Sequence, residues 1–164
     1  MKFSYEDKFI EILQEELKLN EQLLELSKEK AQVLKDNDTA QLQYITYEEQ
    51  GCLRKIIDLE KMRGNLITVM EDSLKIEKIT DIKELVKSIS EEKALVIEEL
   101  GTKLRAVLEE LKSINDLNRE VVQFSLDYLQ LNLNLINGNG SPSIYGKNAN
   151  EKHDDSRMRF DNKF

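Results

Sequence analysis

Over residues 4–136 the sequence contains no proline, and apolar residues return there in alternating steps of three and four. Only the helical period brings side chains spaced in this way onto one face, so the pattern restricts the chain to long helices packed lengthwise. The regularity stops at Ile136. The chain continues as NGNGSPSIYGKNANEKHDDSRMRFDNKF, a polar stretch with Ile144, Tyr145, Met158, Phe160 and Phe164 spaced along it. A long acidic helical body with such a tail is the layout of a binding protein rather than a catalyst. The expected fold is all-α. It is an elongated antiparallel helical bundle or coiled coil over residues 1–137, with three long helices and a short connecting one, and then a flexible tail over 138–164.

The first helix is predicted from Ser4 to Leu34. Ile12, Leu19, Leu23, Leu26 and Val33 form one line, and Ile10, Leu13, Leu17 and Leu24 an adjoining one. Together they are wider than a two-stranded seam requires. KDND breaks the period, and Asp38 with Gln41 three residues on has the form of a capping box opening the second helix. There Leu42, Ile45, Glu49, Cys52, Ile56, Leu59, Arg63, Leu66 and Met70 keep a heptad register, which demands a long partner helix. Glu49 and Arg63 are too far apart to pair within the helix; either could meet an opposite charge across the bundle, and both are expected to fix register or sit at a seam margin. Asp81 with Glu84, Leu85, Val86 and Ile89 marks the short connecting helix. Ser88 resembles a cap, and a single helix is predicted from Glu91 to about Asn137. Its heptad runs through Ile97, Leu100, Leu104, Val107, Leu111 and Ile114, then slips to Leu117, Val121, Phe124, Tyr128, Leu131 and Leu135. Gly138 is placed as the residue after the last turn.

At about 1.5 Å per residue the last helix would reach roughly 70 Å, against about 45 to 50 Å for the first two, so part of it must project, bend or pair with the short helix. The C-terminal end is the expected projecting part. Over 121–136 apolar residues occupy more than one face, which is more than one helix pair would bury. Such an end wants another partner. Its own copy, an amphipathic segment of another protein, or the folded-back first helix could each supply it.

The remaining features exclude functions more than they assign them. A formal net charge of -8 and a sequence pI near 4.9, with Lys and Arg dispersed, disfavour nucleic acid and acidic lipid surfaces. No run is long and apolar enough for a membrane span, and MKFSYEDKF is not a secretory signal, so a cytoplasmic location is expected. Cys52 is the only cysteine and falls on an apolar seam, where it reads as core packing. His153, the only histidine, lies beside Asp154 and Asp155 with no second ligand of the kind zinc takes. Asn139-Gly140-Ser141 spells a glycosylation acceptor, which without an export signal reads as accidental. The pairs Glu91/Glu92, Glu98/Glu99 and Glu109/Glu110 lie on solvent-facing positions, without the desolvated pocket that acid–base catalysis needs. No enzyme activity, cofactor or metal is expected.

The segment LLELSKEKAQVLKDNDTAQLQYITYEEQGCLRKIIDLEKMRGNLI resembles the FlgN family of flagellar export chaperones. Leu42, Ile45, Glu49, Gln50, Leu53, Ile56, Leu59, Glu60 and Arg63 fall on the family pattern, after a break carrying an acidic residue. Tyr145-Gly146 and Phe160-Asp161-Asn162-Lys163 are similar to elements of the family's tail, while Gly51, inside a helix, departs from the pattern. The resemblance implies a cytosolic chaperone of the hook–filament junction proteins, FlgK and FlgL, that delivers them to the type III export gate. It further implies capture of the client's C-terminal helical segment by the chaperone's C-terminal part. The client-binding residues expected on that basis are Val121, Phe124, Tyr128, Leu131, Leu135, Ile144, Tyr145 and Phe160. A structural or adaptor coiled coil that self-associates through its last helix is the alternative.

Overall fold

A computed structural model describes residues 4–138, and every described element is helical: α1 (Tyr5–Asp36), α2 (Thr39–Leu74), α3 (Ile82–Val86) and α4 (Glu91–Ile136). The chain divides into two units, Met1–Phe124 and Ser125–Phe164.

In the first unit the turn between α1 and α2 is set by two residues. Asn37 adopts the left-handed conformation (φ 52°) that closes a helix, and among residues with a side chain Asn tolerates it best. Asp38 then caps α2, its carboxylate accepting from Gln41 N at 3.1 Å as the spacing predicts. Two cross-helix ion pairs set α1 antiparallel to α2: Arg63 donates to Glu16, and Lys30 to Glu49, each at 2.8 Å. Glu49 and Arg63 thus both meet opposite charges across the bundle, the option that the sequence leaves open for either. The contacts from α1 to α4 run in the same direction on both helices. Lys93 reaches Asp7 at 2.9 Å, Lys28 reaches Glu110 at 3.1 Å, and Asn118 Nδ2 donates to the Ser27 carbonyl at 3.0 Å. α1 therefore serves two partners, which accounts for its double apolar line.

The core has two apolar layers. One gathers Phe9, Leu13, Met70, Leu85, Ile97 and Leu104; the other gathers Leu19, Leu23, Leu24, Ile56 and Leu111, with half-buried Cys52 packed against it. At about 1.5–3 kcal/mol gross per buried side chain, either layer outweighs the exposed ion pairs, worth at most about 1 kcal/mol each. Among the described residues, the buried polar ones are Glu16, Asn20, Ser27, Glu49 and Asn118.

α3 is tied in through Leu85, fully buried, and through Ile82, which lies over Gly101 of α4. A Cβ at Gly101 would stand 2.9 Å from Ile82 Cδ1, so this glycine permits a close approach of α3. The loop before α3 is pinned by acidic side chains: Glu71 Oε1 accepts from Ile79 N at 2.6 Å, and Glu84 Oε2 from Thr80 N at 2.8 Å. Those Thr80 bonds hold the Glu84 carboxyl below its ordinary range.

Two details of α4 differ from the sequence reading. Ser90 rather than Ser88 opens the helix, its carbonyl accepting from Ala94 N at 2.9 Å, while Ser88 N closes α3 on Leu85 O. The heptad does not slip at Leu117. Buried Ile97, Leu104 and Leu111 are succeeded seven residues on by buried Asn118, whereas Leu117 is 53% exposed. The apolar pattern favoured Leu117, but Asn118 remains in register because the Ser27 carbonyl gives its amide a buried partner.

In the second unit the described residues are the end of α4 and a turn. Asn137 N donates to Leu133 O at 2.9 Å, and Gly138, at φ 68°, ends the helix where the sequence places it.

Candidate functional site

The candidate site is the segment 125–136. It contains one charged residue, Asp127, in a chain that is 34% charged overall. Its apolar members stand open to solvent: Leu126, Tyr128, Leu129, Leu133, Leu135 and Ile136 are all exposed, Ile136 to 80%, and Leu131 is half-buried. No residue here is buried, so the helix offers apolar side chains without an apolar face to receive them. The exposed apolar residues of α2, such as Tyr44, Tyr47 and Met62, are spaced more widely along their helix than those of this segment. A polar strip lies between the leucines, and Gln130 Nε2 donates to Asn134 Oδ1 at 2.9 Å within it. This i,i+4 bond pairs a Gln130 donor with the Asn134 acceptor inside the helix, and the leucines are the groups that gain most from being covered.

Of the residues expected at the site, Tyr128, Leu131 and Leu135 lie together in this segment. Val121 and Phe124 belong to the first unit, Val121 half-buried and Phe124 exposed to 73%. Ile144, Tyr145 and Phe160 lie outside the described residues. Leu126, Leu129, Leu133 and Ile136 lie within the apolar stretch 121–136 singled out from the sequence but are not among the individual contacts expected there, although they are about as exposed as Tyr128 and Leu135. Their own three-four spacing is the signal that identifies them.

The first unit carries three polar features. Burial pushes the Glu16 carboxyl up from its ordinary range, Arg63 pulls it down, and Glu60 adds a smaller upward push. Glu16 Oε1 and Asn118 Oδ1 are buried without a partner. A groove of about 390 Å³ beside Asn118 is lined by Leu23, Ser27, Lys30, Glu49, Leu53 and Val122 among others. None of these brings a base to a nucleophile, and no cluster of three metal-ligating side chains occurs among the described residues. Glu91, Glu92, Glu98, Glu99, Glu109 and Glu110 are all exposed, as expected of a solvated helix face. No helix among the described residues is long and apolar enough to cross a membrane.

Comparison with known proteins agrees with this picture. The family model described as FlgN protein matches residues 1–153. A protein of Bacillus subtilis (strain 168), described as uncharacterized protein YvyG, is 28% identical over 147 residues, covering 88% of this chain and 90% of its own length. No solved structure matches the chain. An all-α bundle over which the FlgN model extends almost from end to end places this chain in the FlgN family of flagellar export chaperones.

Proposed function

We propose that this protein is a cytoplasmic export chaperone for hook–filament junction proteins of the FlgK and FlgL type. It holds the client's C-terminal helical segment, prevents premature assembly and delivers the client to the type III export apparatus. The observation that carries this reading is the run of exposed apolar side chains over 125–136 in a charge-rich chain. A client segment that folds as it docks gives up affinity to ordering and keeps the exchange fast, which suits handover. Tyr128, Leu131 and Leu135 are the anchors, since large desolvated side chains dominate such interfaces. Val121 and Phe124 are assigned to client contact by the same reasoning, and Ile144, Tyr145 and Phe160 of the tail by the family resemblance.

Size-exclusion chromatography with light scattering, with and without a peptide from a junction protein's C-terminus, tests the proposal. It predicts a monomer that forms a one-to-one complex, lost in the Leu131→Asp/Leu135→Asp variant. A stable dimer indifferent to the peptide would instead support a structural coiled coil that self-associates through its last helix.

A further inference from the structure

The apolar side chains of residues 125–136 form two rows. At about 100° per residue, Tyr128, Leu131 and Leu135 share one line, and Leu126, Leu129, Leu133 and Ile136 share another, with centres about 145° apart. Both rows advance in steps of three and four, the spacing that a facing helix fills. Ser125 and Asn132 separate the rows on one side, and Asp127, Gln130 and Asn134 on the other. The second row is open throughout, with Leu126 54%, Leu129 56% and Leu133 52% exposed.

We propose that the partner of this segment presents two helices, one along each row, so that residues 125–136 insert between two helices of a single partner molecule. The inference rests on the reading of this segment as the client-binding surface. A helix face spans a little over about 100°, so one straight helix laid on the first row leaves the second in water. Interface area gives the same answer. A leucine side chain carries roughly 100 Å² of apolar surface, so at the observed exposures the second row offers roughly 250 Å² and both rows together roughly 450 Å². With the partner's equal share, and apolar atoms making up about 60% of an interface, one row gives roughly 800 Å² in total and both roughly 1,500 Å². Stable, specific interfaces clear about 1,000 Å² and centre near 1,600 Å². A second copy of this chain pairing through the second row alone would stay below that threshold. A partner that fills both rows reaches it.

The test uses the full-length chain and a full-length junction protein encoded in the same genome, with calorimetric titration. Two variants are compared with wild type: Leu131→Gln/Leu135→Gln on the first row and Leu129→Gln/Leu133→Gln on the second. Glutamine keeps helix propensity close to that of leucine, and circular dichroism confirms that helicity is retained. The expected result is a one-to-one complex weakened roughly 30-fold or more by each pair. If one pair alone weakens binding, a single helix suffices: the two-helix inference falls and the client-binding reading stands. If neither does, both fall. If light scattering shows a wild-type dimer that Leu129→Gln/Leu133→Gln dissociates, the second row is a self-association seam, and the two-helix inference is overturned.

Discussion

Replacing Arg63 by Met tests the energetics of the bundle's interior most sharply. Glu16 is 2% exposed, one of its oxygens accepts from Arg63 Nη1 at 2.8 Å, and the other, Oε1, has no partner. Removing one member of a buried pair costs about 3–5 kcal/mol because the other charge stays desolvated. The Arg63 side chain is 32% exposed, which screens the pair and sets the expectation at the lower end, about 3 kcal/mol at pH 7.5. The loss depends on pH. Burial already raises the Glu16 carboxyl above its unfolded value, and deleting the guanidinium, which lowers it, raises it further. A carboxyl raised on folding contributes its stability in full below its unfolded pKa and loses it as pH rises through the folded pKa. The cost of Arg63→Met should therefore shrink as pH falls towards about 4.5 and grow on the way to neutrality. Urea unfolding monitored by circular dichroism, at pH 7.5 and 5.0, would compare wild type, Arg63→Met, Glu16→Gln and the double variant. Neutralising Glu16 should restore about 2 kcal/mol to Arg63→Met at pH 7.5. A loss that is the same at both pH values, or is not relieved by Glu16→Gln, refutes the reasoning.

Other expectations are simpler. Gly64 lies within α2, is exposed and has nothing within 4 Å of an added Cβ, so Gly64→Ala should stabilise by about 1 kcal/mol in the same assay. Gly101→Ala should gain less than Gly64→Ala, because Ile82 Cδ1 must move from 2.9 Å; an equal or larger gain would remove the packing role given to this glycine. Asp38→Ala deletes the α2 cap and should cost about 1 kcal/mol. Asn118→Leu removes a buried unpaired oxygen and extends the line of Ile97, Leu104 and Leu111. It should stabilise by about 1 kcal/mol, and a loss of that size would show that the bond to the Ser27 carbonyl outweighs the unpaired oxygen.

Much of the helical layout was legible because each helix has a local signature. The α2 heptad, the Asp38 cap, the start of α3 at Asp81 and the Gly138 stop all depend on residues within a few positions of one another. That Glu49 and Arg63 could meet opposite charges was legible too, since both interrupt an apolar line. Their partners were not. Lys30 and Glu16 are fixed by the register between helices, which a one-dimensional pattern does not carry. Glu16, Asn20, Ser27 and Asn118 are polar by type, and only their contacts show what holds them inside: Arg63 across the bundle for Glu16, the Glu16 carbonyl of the same helix for Asn20, Asn115 for Ser27 and the Ser27 carbonyl for Asn118. Gly101 by its type alone is a helix-interior glycine that costs about 1 kcal/mol, and its packing role shows only in the approach of Ile82. At the candidate site, the excess of apolar faces over 121–136 was visible in the sequence. The separation into two rows appears once the segment is placed on a helix and its exposure is known.

Hydrogen exchange on the full-length chain, free and saturated with a junction protein, tests the central claim most directly. If residues 125–136 are the client surface, their amides should exchange much more slowly in the complex, while protection in the α1–α2 core around Leu23 and Ile56 stays as it was. Protection gained only on α1 and α2, with residues 125–136 unchanged, would contradict the account.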